Sequence, residues 1–277
     1  SWYLDAAADH WSALIMDDYR YIMPVVWKRK FGIRYLYQPV FCQQLGVFSK
    51  EFTDPAIIRQ FNNTLLGRFR FGVVNFNMKN LVGEEQPFEV ADRSNYVLPL
   101  QNVYEDLYRS YSVNARRNLK RSMEHPGNIE KDISFDELIT FKRENDITKK
   151  TEGEYVWMKS LFGSVIHHSS GSVYGIRDDD KLIAAAFIGF SRTRAIYLLS
   201  VSSGPGKEYR AMFRIVDEVI RSFANSDLAL DFEGSNIPSI ARFFGGFGAK
   251  PEIYQSVSFS RLPVPFILRK IYGRKTP

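Results

Sequence analysis

The spacing of apolar residues in the first half of the chain predicts several strands and one clear helix. Residues 21–27 are rich in β-forming side chains, and the basic, glycine-containing stretch 28–32 that follows is typical of a hairpin turn. Residues 35–48 have the apolar content of a strand but include several amide side chains. The pair Asp54-Pro55 predicts a helix start, because Asp caps helices and proline suits their first turn. Residues 73–78 alternate between apolar and polar, which predicts another strand.

In the second half, the apolar period switches several times between helix-like and strand-like values. The elements expected there are, in chain order, a helix over 103–124 broken near 110–112, a helix that starts at a capping box of Ser134 and Glu137, a helix over 152–166, strands over 172–176, 182–190 and 195–201, a helix over 205–224, a strand over 228–232, a helix capped by Ser235 or Asn236, and a strand over 254–259. This alternation favours a mixed α+β fold over separate all-α and all-β parts.

The composition is that of a globular protein. Of 277 residues, 45% are hydrophobic, 15% aromatic and 25% charged, which excludes disordered, collagen-like and coiled-coil chains. The single cysteine, Cys42, cannot form an internal disulfide, so a reducing, cytoplasmic location is expected. The apolar stretch 183–190 is among the longest and falls far short of the ~18 residues of a membrane span. We therefore expect no membrane span and, from the first residues, no secretory signal.

The net charge of +6 is concentrated in two segments of the second half. Residues 111–121 carry Arg116, Arg117, Lys120 and Arg121 and no acid, and residues 261–277 are also basic without an acid. Like charges four residues apart on a helix cost about 0.2–0.5 kcal/mol per pair. A bound anion, such as a phosphate backbone, would offset that cost. The alternative interpretation is a solvated basic helix face, which is how most charge runs are used.

Several short stretches resemble one family in order and spacing. They are Trp2–Asp5, Gln38-Pro39 with Gln44–Gly46, Ser112–Arg121, Leu230–Ser235 and Arg242–Ala249. Together these stretches resemble the FemAB-like (BioF2-like acetyltransferase) group of the GNAT superfamily. The resemblance implies two tandem GNAT-like domains, each a mixed, largely antiparallel sheet flanked by helices. We place the domains at 1–107 and 108–277, and expect the tail 262–277 to pack back on the first domain.

The resemblance also implies where an activated donor binds. In this fold two parallel central strands part, and the gap with the glycine-rich turn beside it holds the donor. The side chains expected at this place are Tyr197, Ser200, Ser202, Ser203, Gly204, Gly206, Lys207, Arg210, Ser235 and Asn236. The turn departs from the family pattern, because Tyr209, Arg210 and Ala211 stand where glycines let the backbone approach a pyrophosphate. The donor choice stays open between aminoacyl-tRNA and acyl-CoA, and these departures favour the former. No metal is expected.

Two carboxylates are the candidate catalytic groups. Asp231 and Glu233 are two apart on a predicted strand and would share the face opposite Leu230 and Phe232. A carboxylate at the gap could accept the proton of an attacking amine, and the pKa values of two neighbouring carboxylates would be coupled. The alternative is that they cap the following helix or pair with arginines. The usual GNAT leaving-group acid, a tyrosine, is absent, since Phe243-Phe244 occupies that stretch.

A set of polar residues is the candidate acceptor site. It consists of Gln38, Gln43, Gln44, Asn75, Asn77 and Arg116. Amides on predicted strands need hydrogen-bond partners, which could be a sugar or peptide acceptor or simply one another. The family resemblance implies a small-molecule or peptidoglycan-precursor acceptor. His167 and His168 are adjacent and lack a third ligand at metal-binding spacing.

The leading hypothesis from the sequence is an N-acyltransferase or aminoacyltransferase that transfers an activated group to an amine, with tRNA as a possible partner. The resemblance to the FemAB-like group implies cell-wall or cell-surface polymer synthesis as one pathway. The alternative hypothesis is a catalytically decayed GNAT-like module that binds a nucleotide-sugar, an RNA or a protein partner.

Overall fold

The computed structural model describes residues 2–83, 87–125, 127–131, 133–146, 150–168, 170–234 and 236–262. In the first half the elements are α1 (Trp2–Ala7), β1 (Trp11–Met16), β2 (Tyr21–Lys30), β3 (Ile33–Leu36), α2 (Pro55–Arg68), β4 (Phe71–Asn75), β5 (Phe88–Pro99) and α3 (Tyr104–Arg109). In the second half they are α4 (Val113–Met123), β6 (Ile129–Lys131), α5 (Phe135–Asn145), α6 (Glu152–His167), β7 (Gly171–Asp178), β8 (Lys181–Phe190), β9 (Arg194–Ser202), α7 (Gly204–Glu208), α8 (Ala211–Phe223), β10 (Ala229–Gly234), α9 (Pro238–Gly246) and β11 (Lys250–Ser260).

The chain forms two compact units that are not continuous in sequence. Unit 1 consists of the chain up to Asn95, the short segment Gly234–Ile237 and the chain from Glu252 onward. Unit 2 consists of Tyr96–Glu233 and Pro238–Pro251. Most of β11, the last strand, therefore belongs to the unit that begins the chain.

Unit 1 is built on the strand order β1-β2-β3-β4-β11. The predicted hairpin is confirmed: β2 and β3 are antiparallel and are joined by Phe31 and Gly32, with Lys30 opposite Ile33. β3 and β4 are parallel, and β4 and β11 are antiparallel. Helix α2 is also confirmed, because the Asp54 side chain accepts a hydrogen bond from the backbone N–H of Ala56 and Pro55 occupies the first helical position. The core under this sheet contains fully buried Met23, Leu36, Ile58 and Phe76.

The strand predicted over 35–48 is wrong beyond Leu36. After β3 the chain forms only isolated bridges, Ile22 with Phe48 and Leu45 with Phe76. Side-chain amides satisfy several of its carbonyl groups, so the segment needs no strand partner there. Two residues in the left-handed region, Phe41 (φ 62°) and Gly46 (φ 84°), also turn the chain away from an extended path.

Unit 2 contains the strand order β10-β9-β8-β7-β6, antiparallel except for the parallel pair β9 and β10. Helices α4, α8 and α9 cover one face, and their buried side chains form one core cluster with alternate residues of β8 such as Ala184 and Ala186. Phe187 points to the opposite face, where its ring meets those of Phe135 on α5 and Phe162 on α6.

The helix predicted over 205–224 is two helices, α7 and α8. Between them Arg210 has a left-handed backbone (φ 58°) and the chain changes direction. Helix α7 is held against β8, because Ser203 donates from both its backbone N–H and its Oγ to the carbonyl oxygen of Ile183. Gly206 packs so closely on the same carbonyl that an added Cβ would overlap it. These contacts fix the position of α7. Because the chain changes direction at Arg210, α8 can pack its apolar face on the core independently of α7.

A buried polar cluster joins α3 and the residues before α4 to helix α8. The hydroxyls of Tyr104 and Tyr111 both donate to Asp217 Oδ1, at 2.8 and 3.0 Å. Arg221, one turn further along α8, lies 3.7 Å from Asp217 Oδ2 and stacks on the Tyr104 ring. Burial raises the pKa of Asp217, while its tyrosine and arginine partners act in the opposite direction.

Candidate functional site

The candidate site begins where strands β9 and β10 part. Their parallel pairing covers only Ala229 with Arg194, Leu230 with Ala195, and Asp231 with Ile196. Both strands continue beyond these pairs, β9 to Ser202 and β10 to Gly234, without further β9–β10 pairing in the described chain. The gap implied by the family resemblance is therefore present. It leaves main-chain N–H and C=O groups of both strands without their usual ladder partner.

An aromatic cluster covers one face of the parted strands. The ring of Phe232 on β10 stacks on Phe244 of α9, with ring centroids 4.7 Å apart, and Tyr197 of β9 lies about 6 Å from both. Phe244 is therefore an apolar wall, and its neighbour Phe243 packs on Phe213. Burial raises the pKa of the Tyr197 phenol, whose side chain is hydrogen-bonded to Ser200. These side chains shape the gap, and the Tyr197 phenol keeps its proton at neutral pH.

On β10, Asp231 uses both of its carboxylate oxygens within the protein. Arg194 donates to Oδ2 at 2.5 Å, and the backbone N–H of Glu233 donates to Oδ1 at 2.9 Å. The Asp231 side chain is only 11% exposed, so this ion pair is well shielded. Sequence reasoning missed Arg194, because it lies 37 residues from its partner and no local spacing connects the two. Asp231 thus holds the backbone at the point of parting.

Glu233 is the carboxyl group with an unusual environment. Its backbone is left-handed (φ 55°), a conformation that costs a non-glycine residue about 1–3 kcal/mol and is concentrated at functional sites. Strand alternation therefore does not set the direction of its side chain. Burial, together with the negative charge of Asp231, raises the pKa of Glu233 to about 8. In its ionised form, a carboxylate of that basicity can accept the proton of an attacking amine.

The raised pKa of Glu233 predicts a pH dependence of stability. The folded chain holds this proton more tightly than the unfolded chain, whose Glu pKa is ~4.3, so the free energy of unfolding should fall as the pH rises from about 5 to 8. Glu233→Gln removes the titrating group and should be more stable than the wild type at pH 8 but not at pH 5. Urea unfolding of both proteins at the two pH values measures this difference. A difference that is the same at both pH values contradicts it.

Residues of the predicted glycine-rich turn cap helix α7 and pack it against β8. Ser203 Oγ accepts a hydrogen bond from the Gly206 N–H at 3.3 Å and so caps α7. Gly206 is required by its close packing on Ile183, whereas an added Cβ at Gly204 would meet nothing within 4 Å. Ser202 ends β9, and Lys207 and Arg210 are at least partly exposed in and after α7. The structure brings these residues together beside the end of β9, and their donor-binding role stays a prediction.

The basic helix α4 begins beside the end of α9. The N–H of Ser112, its N-cap residue, donates to the carbonyl of Gly246 at 2.9 Å, and Gly246 packs near Ala115. Its buried face consists of Ala115, Leu119 and Ser122. Of its four cationic side chains, Arg117, Lys120 and Arg121 are exposed and Arg116 is half-buried. None of the four forms an ion pair within the described residues. The opening of this helix therefore lies next to the aromatic wall of the gap.

The amide set of the first half lies in unit 1 and bonds mainly to its own backbone. Gln38 accepts from the N–H of Asn75 at 3.0 Å and donates to the carbonyl of Cys42. Asn75 donates to the carbonyl of Gln43, and Asn77 donates to those of Leu45 and Val47.

The remaining predicted site residues make hydrogen bonds elsewhere or lie outside the described residues. Gln44 donates to Gln43 Oε1 and accepts from the N–H of Met78. Asn236 accepts from the N–H of Ser94 at 3.4 Å. Ser235 and residues 263–277 lie outside the described residues. In the part of the chain that the structure describes, no three His, Cys, Asp or Glu side chains form a metal-binding group. No described helix is long and apolar enough to span a membrane.

Comparison with solved structures identifies the fold. FemX superposes with a TM-score of 0.62 at 8% sequence identity, covering 98% of this chain and 92% of FemX. The C-terminal domain of a protein described as a putative lysylphosphatidylglycerol synthetase from Agrobacterium fabrum gives 0.60 at 10% identity, covering 98% and 90%. A GCN5-related N-acetyltransferase from Kribbella flavida gives 0.54 at 9% identity, covering 96% and 94%.

These neighbours confirm the resemblance to the FemAB-like GNAT group at the level of the fold, and with it the mixed α+β architecture of GNAT-like units. No family model matches the sequence, and no curated protein is similar to it in sequence. The fold is therefore established by structure, and the chemistry has to be inferred from the site.

Proposed function

We propose that this protein is an acyl- or aminoacyltransferase whose donor binds at the parted strands of unit 2. The observation that carries the proposal is the end of β9–β10 pairing at Asp231, followed within two residues by a carboxyl group of raised pKa. Open main-chain amides can hold the carbonyl oxygen of an acyl group, and Glu233 can act as the base. The GNAT-like fold supports this general class of reaction, since one neighbour is named as an N-acetyltransferase.

The reaction proposed for this site forms one bond and breaks one. An acceptor amine attacks the acyl carbon of the donor, and the new N–C bond forms as the amine proton passes to the Glu233 carboxylate. The bond from the acyl carbon to the donor oxygen or sulfur then breaks, and the leaving group departs with the electron pair and takes up a proton. Main-chain N–H groups of the gap would stabilise the charge that develops on the carbonyl oxygen.

Several observations favour aminoacyl-tRNA over acyl-CoA as the donor. The turn before α8 contains Tyr209 and Arg210 and no glycine, so side chains stand where the backbone would have to approach a pyrophosphate. The Tyr209 ring is stacked on His125, with ring centroids 4.1 Å apart. The family resemblance places a thiolate-protonating tyrosine in the stretch that Phe243-Phe244 occupies in this chain. Helix α4, whose start contacts the end of α9, carries an exposed cationic face, which suits a long polyanion. The family resemblance further implies an amine of a peptidoglycan precursor as one acceptor class.

Titration of the purified protein with aminoacyl-tRNA and with acyl-CoA tests the donor assignment. We expect tRNA affinity to fall steeply with salt, and the slope of log affinity against log salt to decrease by about one for each phosphate-binding cation removed. Arg117→Gln with Arg121→Gln should therefore lower the slope by about two, whereas Lys181→Gln, at the start of β8, should leave it unchanged. Absence of binding to both donors argues against a transferase and for the decayed binding module.

A further inference from the structure

One end of unit 1 carries a group of cations around an exposed aromatic side chain. The three chain segments that meet there, 28–36, 66–72 and 258–262, contain seven Lys or Arg residues and no Asp or Glu. Phe31, at the tip of the β2–β3 hairpin, is 92% exposed. We define the hairpin surface as Arg29, Lys30, Phe31, Arg34, Arg70 and Arg261.

Strand register places four of these cations at one level. Arg29 lies opposite Arg34 in the hairpin. Leu36 pairs with Gly72, and the rings of Tyr35 and Phe71 stack, so Arg70 is level with Arg34. The N–H of Arg261 donates to the carbonyl of Arg70 at 2.8 Å. None of the four forms an ion pair within the described residues. Phe31 lies two residues beyond the Arg29–Arg34 level, or about 6 Å along the strand direction.

The sequence of the hairpin tip is locally unfavourable, which argues that it is kept for a ligand. Phe31 and Gly32 both have positive φ, at 50° and 78°. A two-residue turn of that kind prefers Asn-Gly, so an exposed phenylalanine is a poor choice for the backbone. Like charges directly opposite each other, as Arg29 and Arg34 are, also destabilise a hairpin. Arg29 donates to the carbonyl of Gly32 and Arg34 lies over the Trp27 ring, but all three side chains remain exposed and none gains stabilisation by burial.

We propose that the hairpin surface binds a bilayer rich in anionic phospholipid, with Phe31 inserted and the cations at the level of the lipid phosphates. An amphipathic element buries its apolar side about 5–10 Å into the headgroup boundary, which matches the distance from the arginine level to the tip. Basic residues near an anionic leaflet each add attraction. A nucleic acid fits less well, because aromatic residues that stack bases line grooves, whereas Phe31 projects from a convex turn.

Co-sedimentation with lipid vesicles tests this proposal without any transfer assay, so it is independent of the proposed function. The wild type should bind vesicles of phosphatidylcholine mixed with phosphatidylglycerol at least about tenfold better than phosphatidylcholine alone. Phe31→Asn should lower the partition coefficient about tenfold, the order expected for losing a partly buried phenylalanine. Arg29→Gln with Arg34→Gln should lower it about 25-fold, or about fivefold per charge.

The controls separate binding from folding. Phe31→Asn creates the preferred turn sequence, so its stability should equal or exceed that of the wild type in urea unfolding. Phe52→Asn removes an equally bulky side chain that is 75% exposed and precedes α2, at the far end of that helix from Arg68. This control should change the partition coefficient less than about twofold. The proposal is overturned if Phe31→Asn binds vesicles as the wild type does, if neutral and anionic vesicles bind equally, or if Phe31→Asn weakens only the binding of an oligoribonucleotide.

Discussion

Glu233→Gln is expected to lower kcat by a factor of about 10² to 10⁴ and to leave donor affinity within about twofold. A decrease in kcat of this size is expected when a general base is lost. Glutamine keeps the shape of the side chain but cannot accept the amine proton. Single-turnover rates and donor titrations on the same preparation measure the two effects separately. The wild-type rate should also rise with pH towards a plateau above about 8, because only the ionised form of Glu233 is a base.

The controls for this experiment distinguish chemistry from structure. Glu208→Gln makes the same change at an exposed carboxylate on α7 and should leave kcat unchanged. Asp231→Asn weakens the ion pair with Arg194, so it should lower stability as well as turnover. If Glu233→Gln retains more than about half of the wild-type rate, Glu233 is not the base. If the wild type shows no turnover with any donor that it binds, the chain is a binding module of GNAT-like fold.

Asp217→Ala is expected to lower the free energy of unfolding by about 3 kcal/mol. The change leaves the hydroxyls of Tyr104 and Tyr111 without their acceptor, and an unsatisfied buried hydroxyl costs about 1–3 kcal/mol. Asp217 is 3% exposed, so water cannot readily replace the lost carboxylate. Urea unfolding followed by fluorescence measures the loss, and the cluster joins three segments, so the whole of unit 2 should respond.

Substitutions that remove one hydroxyl group at a time from the same cluster provide the comparison for Asp217→Ala. Tyr104→Phe and Tyr111→Phe each remove one hydrogen bond and should cost about 1 kcal/mol. Glu218→Ala changes the next residue of α8, whose carboxylate is paired with Lys131 near the surface, and should cost less than about 1 kcal/mol. A loss at Asp217 no larger than that at Glu218 would show that the cluster does not hold α3 to α8.

Local patterns predicted the elements that depend on neighbouring residues. The break near Ser110–Ser112 separates α3 from α4 because Ser112 caps the second helix, and that signal is visible in the sequence. The apolar runs of β7, β8 and β9 were equally readable, since each strand buries half or more of its residues. The apolar stripe of the region after Gly204 is present in α8, but the left-handed Arg210 that separates α8 from α7 carries no sequence signal.

The candidate site depended on contacts that sequence spacing does not contain. The approximate place of Asp231 and Glu233 at the parting strands followed from the family resemblance. Their different environments did not, because the arginine partner of Asp231 comes from another strand and the pKa of Glu233 depends on burial. The polar residues at 38–77 were predicted to bind an acceptor because the sequence does not show their hydrogen-bond partners. In the structure those partners are mainly backbone groups of the same region.

The pairing of β4 with β11 constrains how this chain can fold as it leaves the ribosome. β11 is the last described strand, so nearly all of unit 2 is synthesised before β4 can acquire that neighbour. Unit 2 can therefore fold first, although it comes second along the chain. Until β11 emerges, one edge of β4 stays uncovered, and an uncovered edge invites pairing with other chains. Slow translation of the final third would prolong that exposure.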